Sequence, residues 1–152
     1  MYDDIRYAVD DGIATITIDR PDVMNAFRAQ TLMELGNALE CYREDETAYV
    51  GILTGSESGF CAGADATPMP DWKDTFKTEY SAFLRSVQQV VCHLRESEKP
   101  TVAAVAGPTI GAECDFALAC DVRFVDSDAI LREGFSTSVS SPATAERGCC
   151  RG

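Results

Sequence analysis

Short apolar runs alternate along this chain with segments of helical periodicity. The run Ala48–Thr54 has the pattern of a buried strand and stops at Gly55. A long amphipathic helix is predicted over Trp72–Glu98, and a second strand over Thr101–Ala106. Strands that alternate with helices predict an α/β architecture, in which ligand sites lie at the loops beyond the strand ends.

The other predicted elements fit the same alternation. Residues Ile5–Val9 and Ile13–Asp19 flank an Asp-Gly turn, which predicts a β-hairpin. The rest are a helix at Ala29–Arg43, a turn at Gly107–Ile110, a short helix at Gly111–Ala119 and a strand at Val122–Val125.

The net charge and the hydropathy of the chain limit the classes of partner that are expected. The chain has 152 residues, enough for one compact domain, and its net charge is −12. Nucleic acid and anionic membrane surfaces would repel such a chain, so neither is expected as a partner. No apolar run approaches the roughly 18 residues of a membrane span, and the first residues are acidic where a signal peptide would be basic. We therefore expect a cytoplasmic protein.

Metal and histidine chemistry are not indicated. The seven cysteines include no C-x-x-C pair, and most are expected to be buried as small apolar residues. The single histidine, His93, lies on the long helix among apolar residues, where a structural role is expected. A catalytic triad based on histidine is therefore not expected, and no metal site is predicted.

Two loops carry the chemical signal. Gly59–Asp65 follows a buried strand, and its small residues let backbone N–H groups approach a ligand. Gly107–Asp115 runs from a strand into a helix N-terminus, where N–H groups are free and the dipole favours negative charge. Either loop alone is explained by a tight turn. Two such donors aimed at one oxygen would form an oxyanion hole.

The residues closely resemble the crotonase superfamily, the enoyl-CoA hydratase/isomerase family. The segments that carry the resemblance are Asp19–Pro21, Asn25–Phe27, Phe60–Asp65, Lys99–Gly107 and Gly111–Phe124. The resemblance runs from about Ile5 to Phe135. It implies the ClpP/crotonase fold, an α/β spiral of ββα units, here incomplete at the C-terminus. Residues 1–135 would then be a partial acyl-CoA-binding core.

The resemblance also implies roles for individual residues. The N–H groups of Ala64 and Ala112 would be the two oxyanion donors. Asp115 stands where hydratases of the family place their first catalytic glutamate, although a carboxylate in the first turn of a helix is also explained by the helix dipole. The residues expected along coenzyme A are Ala26, Ala62, Ala64, Asp65, Ala66 and Thr67, with Asp65 and Ala66 at the adenine end.

The sequence departs from the family pattern at two positions. Glu113 is charged where a small residue is usual, and the second hydratase glutamate falls on Phe135. Phe135 argues against a hydratase with two glutamates and fits relatives, several isomerases among them, whose other acid is a later aspartate. No metal or redox cofactor is implied, because the oxyanion hole supplies the electrophile. Coenzyme A enters as part of the thioester substrate. Intact relatives form homotrimers or hexamers, and whether this chain assembles stays open.

The last 17 residues, 136–152, differ in character from the rest, with one large aliphatic residue among small and polar ones. If one nucleotide was lost after the codon of Phe135, permitted third bases decode this tail to a sequence very close to that of the family, including the missing aspartate. We interpret Ser136–Gly152 as an out-of-frame tail, which sequencing of the gene tests.

Three functional interpretations follow. The primary one is an acyl-CoA hydratase or isomerase that stabilises a thioester enolate. The alternative is a non-catalytic, CoA-binding or inert remnant of such an enzyme. A protease of the related ClpP type is excluded, because His93 has no partner motif and no Ser/His pair is evident.

Overall fold

A computed structural model of the chain describes residues 2–57, 59–65 and 76–132. Its elements, in chain order, are β1 (Ile5–Asp10), β2 (Ile13–Ile18), a 3-10 turn (Pro21–Val23), α1 (Ala29–Glu44), β3 (Val50–Gly55), α2 (Phe76–Arg95), β4 (Thr101–Val105), β5 (Pro108–Ile110), α3 (Ala112–Ala119), β6 (Val122–Val125) and β7 (Ile130–Arg132).

The main sheet has five strands in the order β1-β2-β3-β4-β6. The hairpin β1–β2 is antiparallel, and each later strand joins the sheet in parallel to its neighbour. Helices α1 and α2 carry the chain from one parallel strand to the next, as parallel pairing requires. The predicted α/β architecture is confirmed.

The predicted boundaries agree with the structure to within about two residues for most elements. Helix α2 ends at Arg95, three residues before the predicted end at Glu98, and residues 72–75 of the predicted helix lie outside the described residues. The predicted turn Gly107–Ile110 differs in kind, since most of it is strand β5, paired in parallel with β7. That pairing joins Pro108 to Ile130, and so depends on a partner more than twenty residues away. A three-residue strand of this kind leaves no periodic pattern in the sequence.

The hydrophobic core lies between the sheet and the helices. Strand β2 buries Ala14, Ile16 and Ile18, the alternate residues that its pattern predicted. Helix α1 packs beside α2, and α2 beside α3. The ring of Phe27, 1% exposed, stacks on Phe83 of α2 with centroids 5.6 Å apart and lies 5.8 Å from Phe116 of α3.

In the described part of the chain, no helix is both long and apolar enough to cross a membrane. Among the described cysteines, Cys61, Cys114 and Cys120 are buried, whereas Cys41 is exposed. Burial raises the pKa of the Cys120 thiol to about 12, as expected for a cysteine that acts as a small apolar residue.

Candidate active site

Asn25 joins the loop after β2 to the loop after β3. Its side chain is fully buried, and its Nδ2 donates to the carbonyl oxygens of Ser56 and Gly59 at 2.7 and 2.8 Å. Its Oδ1 accepts the N–H of Arg20 at 2.9 Å and the hydroxyl of Ser56 at 3.2 Å. Asn25 has φ +58°, a left-handed conformation that asparagine tolerates better than most residues. One amide therefore fixes two loops relative to each other.

The end of β3 lies directly against the following loop. A Cβ added to Gly55 would lie 2.1 Å from the carbonyl oxygen of Gly59 and 2.2 Å from that of Phe60. The Phe60 N–H donates to the carbonyl of Ala106 at 2.7 Å, which ties the same loop to the end of β4. Only a glycine at 55 permits this close approach of backbone to backbone.

Ala64 pairs in parallel with Phe27 in an isolated two-residue contact. The Phe27 N–H donates to the Gly63 carbonyl at 3.0 Å, and the Asp65 N–H donates to the Phe27 carbonyl at 2.8 Å. In a planar trans peptide the N–H points opposite to the carbonyl of the preceding residue. The Ala64 N–H therefore points away from Phe27. Ala64 is also an exposed residue.

The second loop is aligned with the first. Cys61 pairs in parallel with Thr109, and Ala64 and Ala112 each lie three residues beyond that pair. Ala112 is the first residue of α3, after Gly111 at φ +89°. The first N–H groups of a helix have no partner within the helix, and the Ala112 N–H is the first of these in α3.

Asp115 lies one turn into α3 and is 3% exposed. Residues three apart lie on the same face of a helix, so Asp115 lies on the same face of α3 as Ala112. The next residue, Phe116, contacts the ring of Phe27, whose backbone holds Gly63 and Asp65. Phe27 thus connects the first donor loop to the helix that carries Asp115.

A cluster of charged side chains lies beside the first donor loop. Asp4, 2% exposed, accepts two hydrogen bonds from the Arg28 guanidinium at 2.7 and 2.8 Å and one from the Thr31 hydroxyl at 2.6 Å. These bonds, with Arg28 the largest contributor, hold the pKa of the Asp4 carboxyl below its ordinary value of 3.8. Arg20 connects this cluster to Asp65 at 2.9 Å.

The structure brings together several of the residues predicted from sequence. Ala26, Ala62, Ala64 and Asp65 lie on the two paired segments around Phe27, and Ala112 and Asp115 lie on the helix beside them. Ala66, Thr67, Phe135 and the interpreted tail 136–152 lie outside the described residues. His93 is half-buried in the last turn of α2.

Arg20 and Asn25 belong to the segments that resemble the family, but the contacts of their side chains were not predicted from the sequence. Both residues are polar, and both flank the 3-10 turn between β2 and α1. A polar residue next to a strand end is the signal that could have singled them out, since buried backbone groups of a loop need partners.

Comparison with known proteins shows the family of this chain. Residues 8–141 match the profile of a protein family described as enoyl-CoA hydratase/isomerase. The chain belongs to this family. It is 37% identical over 139 residues to a probable enoyl-CoA hydratase of Rhodobacter capsulatus, covering 89% of this chain and 51% of the relative. It is 33% identical to a crotonyl-CoA hydratase of Syntrophomonas wolfei, covering 84% of this chain and 48% of the relative.

Solved structures of the family have the same fold. An enoyl-CoA hydratase/carnithine racemase from Magnetospirillum magneticum superposes with a TM-score of 0.81 at 25% identity, covering 96% of this chain and 54% of that one. A putative enoyl-CoA hydratase/isomerase (crotonase) from Legionella pneumophila gives 0.79 at 28% identity, with 83% and 49% covered. The predicted crotonase-like fold is confirmed, and the chain spans about half the length of its family relatives.

Proposed function

We propose that this chain carries the thioester-binding half of an acyl-CoA hydratase or isomerase site, with the carbonyl oxygen of the thioester held between the N–H groups of Ala64 and Ala112. The observation that supports it most is the orientation of the Ala64 N–H, which points away from Phe27 on an exposed residue. The parallel contact of Cys61 with Thr109 aligns the second loop beside it.

The chemistry follows from those two donors. Removing a proton from carbon α of a thioester, or adding water to the β-carbon of an enoyl thioester, places negative charge on the carbonyl oxygen. Two fixed N–H donors stabilise that charge more than they stabilise the neutral carbonyl, and this difference lowers the barrier. Because the donors act as the electrophile, we propose that no metal or redox cofactor takes part.

Asp115 is the proposed acid–base group. Asp115, which is 3% exposed and lies on the helix that begins with Ala112, is suited to moving a proton at the α- or β-carbon or to orienting a water molecule.

The coenzyme A part of the substrate is proposed to lie along Ala26 and the segment that begins at Ala62. Exposed and half-exposed small residues line that path. The alternative is a remnant that binds coenzyme A without catalysis. The chain spans about half the length of the relatives compared.

A pair of measurements separates these functions. Isothermal titration with acetoacetyl-CoA measures binding, and hydration of crotonyl-CoA measures turnover. Turnover that is lost in Asp115→Asn while acetoacetyl-CoA still binds supports the enzyme. Binding without turnover in the unaltered chain supports the remnant. A chain that binds neither acetoacetyl-CoA nor coenzyme A contradicts both.

A further inference from the structure

The guanidinium of Arg20 contacts oxygen atoms from three separate segments. Its Nη2 lies 2.9 Å from the carboxylate of Asp65, its Nη1 donates to the carbonyl of Ala26, and its Nε lies 3.6 Å from the carboxylate of Asp4. The side chain is 14% exposed, so these contacts are largely shielded from water. Arg20 therefore does more than form a surface ion pair.

Two of those contacts flank the pairing that orients Ala64. Ala26 precedes Phe27, and Asp65 follows Ala64, so Arg20 holds one residue on each side of the Phe27–Ala64 contact. That contact has only two backbone hydrogen bonds of its own. An extended pairing this short has little stability by itself and needs support from the side.

We propose that Arg20 is a positioning residue that fixes the direction of the Ala64 N–H toward the thioester oxygen. The inference rests on the proposed function, because it assigns Arg20 to the same site. A guanidinium presents its donors in a planar fork, and this is what lets one side chain reach Ala26 and Asp65 together. A lysine at this position carries the same charge on a single nitrogen and lacks the planar fork that spans Ala26 and Asp65.

Arg20→Lys is therefore the informative variant. It keeps a positive charge beside Asp4 and Asp65, which protects the fold, and it removes the fork. The matched control is Arg6→Lys, since Arg6 pairs with Asp19 at 2.9 Å on the surface of the neighbouring hairpin β1–β2 and is 63% exposed. An effect that follows from any Arg→Lys change at an Arg–Asp ion pair would appear in both variants.

The first measurement is amide hydrogen exchange without ligand. In Arg20→Lys, the N–H groups of Phe27 and Asp65, which form the pairing, are expected to exchange at least ~10-fold faster, while amides of β3 keep their rates. In Arg6→Lys no amide of the pairing changes. Equal protection of the Asp65 N–H in Arg20→Lys and the unaltered chain would overturn the inference.

The second measurement reports the donor directly. A conjugated dienoyl-CoA absorbs at longer wavelength when its carbonyl is polarised by hydrogen bonds, so the size of the shift on binding measures the oxyanion donors. The unaltered chain and Arg6→Lys should show the full shift, and saturated Arg20→Lys a smaller one. An undiminished shift in Arg20→Lys overturns the role of Arg20 and leaves the proposed function intact. If the unaltered chain shows no shift at saturation, the proposed function fails, and the role of Arg20 at this oxygen fails with it.

Discussion

Asn25→Ala tests the claim that one buried amide fixes the two loops around the first donor. Of its four side-chain hydrogen bonds, the two to Ser56 are buried, and the two to Gly59 and Arg20 are partly buried. Leaving a buried polar group without a partner costs about 1–3 kcal/mol, and partly buried groups recruit water instead. The two buried bonds alone therefore predict a loss of about 3 kcal/mol.

The backbone adds a smaller term. Residue 25 has φ +58°, which costs alanine about 1 kcal/mol more than asparagine or glycine. Asn25→Ala should thus lower the free energy of unfolding by about 4 kcal/mol, and Asn25→Gly by about 1 kcal/mol less. The difference in free energy of unfolding between Asn25→Ala and Asn25→Gly reports the backbone strain. The loss that both variants share reports the hydrogen bonds.

Urea unfolding followed by circular dichroism measures these values. The control is Asn37→Ala on the exposed face of α1, which should change stability by no more than about 0.5 kcal/mol. If Asn25→Ala and Asn25→Gly both cost less than about 1 kcal/mol, the amide does not connect the loops and the reasoning is refuted.

Two further predictions concern the same loop and the charged cluster. Gly55→Ala places a Cβ 2.1 Å from a backbone carbonyl oxygen. It should lower the free energy of unfolding in urea by about 1–3 kcal/mol and weaken thioester binding. The control is Gly36→Ala, where nothing lies within 4 Å of the added Cβ, and which should stabilise α1 by about 0.5–1 kcal/mol. Equal effects of the two would contradict the packing of β3 against the loop. Because Arg28 lowers the pKa of Asp4, the stability from this carboxylate is fully present above its ordinary value of 3.8 and is lost as the pH falls through the lowered value. Asp4→Asn should therefore lower the urea midpoint at neutral pH and flatten its decline in acid; a decline as steep as in the unaltered chain would show that Asp4 is not the group involved.

Much of the fold follows from local pattern. The Asp-Gly turn and the alternation of Ala14, Ile16 and Ile18 fix the hairpin, because period-2 burial is a property of the strand itself. Helix α1 follows from its apolar spacing for the same reason. Strands β5 and β7 do not, because three-residue strands are formed by their pairing with each other and not by their own sequence.

The candidate site, like the fold, could be predicted only in part from the local sequence. Small residues around Ala64 and the helix start at Ala112 are visible in the sequence, and they indicate free N–H groups. The direction of the Ala64 N–H is not visible, because it depends on hydrogen bonds of Gly63 and Asp65 to Phe27, more than thirty residues earlier. Contacts of this separation are set by the tertiary fold, which a motif does not encode residue by residue.

The central claim is that the Ala64 and Ala112 N–H groups hold the thioester oxygen, and Ala112→Pro tests it most directly. Ala112 is the first residue of α3, a position that tolerates proline, and it follows a glycine, so the substitution removes one donor at little cost to the helix. Ala112→Gly keeps the N–H and is the matched control. Loss of one oxyanion donor typically lowers turnover about 10²–10³-fold.

The measurement is isotope-edited infrared spectroscopy of the thioester carbonyl of bound acetoacetyl-CoA. The carbonyl band should lie at lower frequency when bound to the unaltered chain and to Ala112→Gly. In Ala112→Pro at saturation it should return part of the way to its free value, because the Ala64 N–H remains. A band that stays at the same low frequency in Ala112→Pro would contradict the assignment of Ala112 as a donor. A band that never shifts in the unaltered chain would contradict the oxyanion site as a whole.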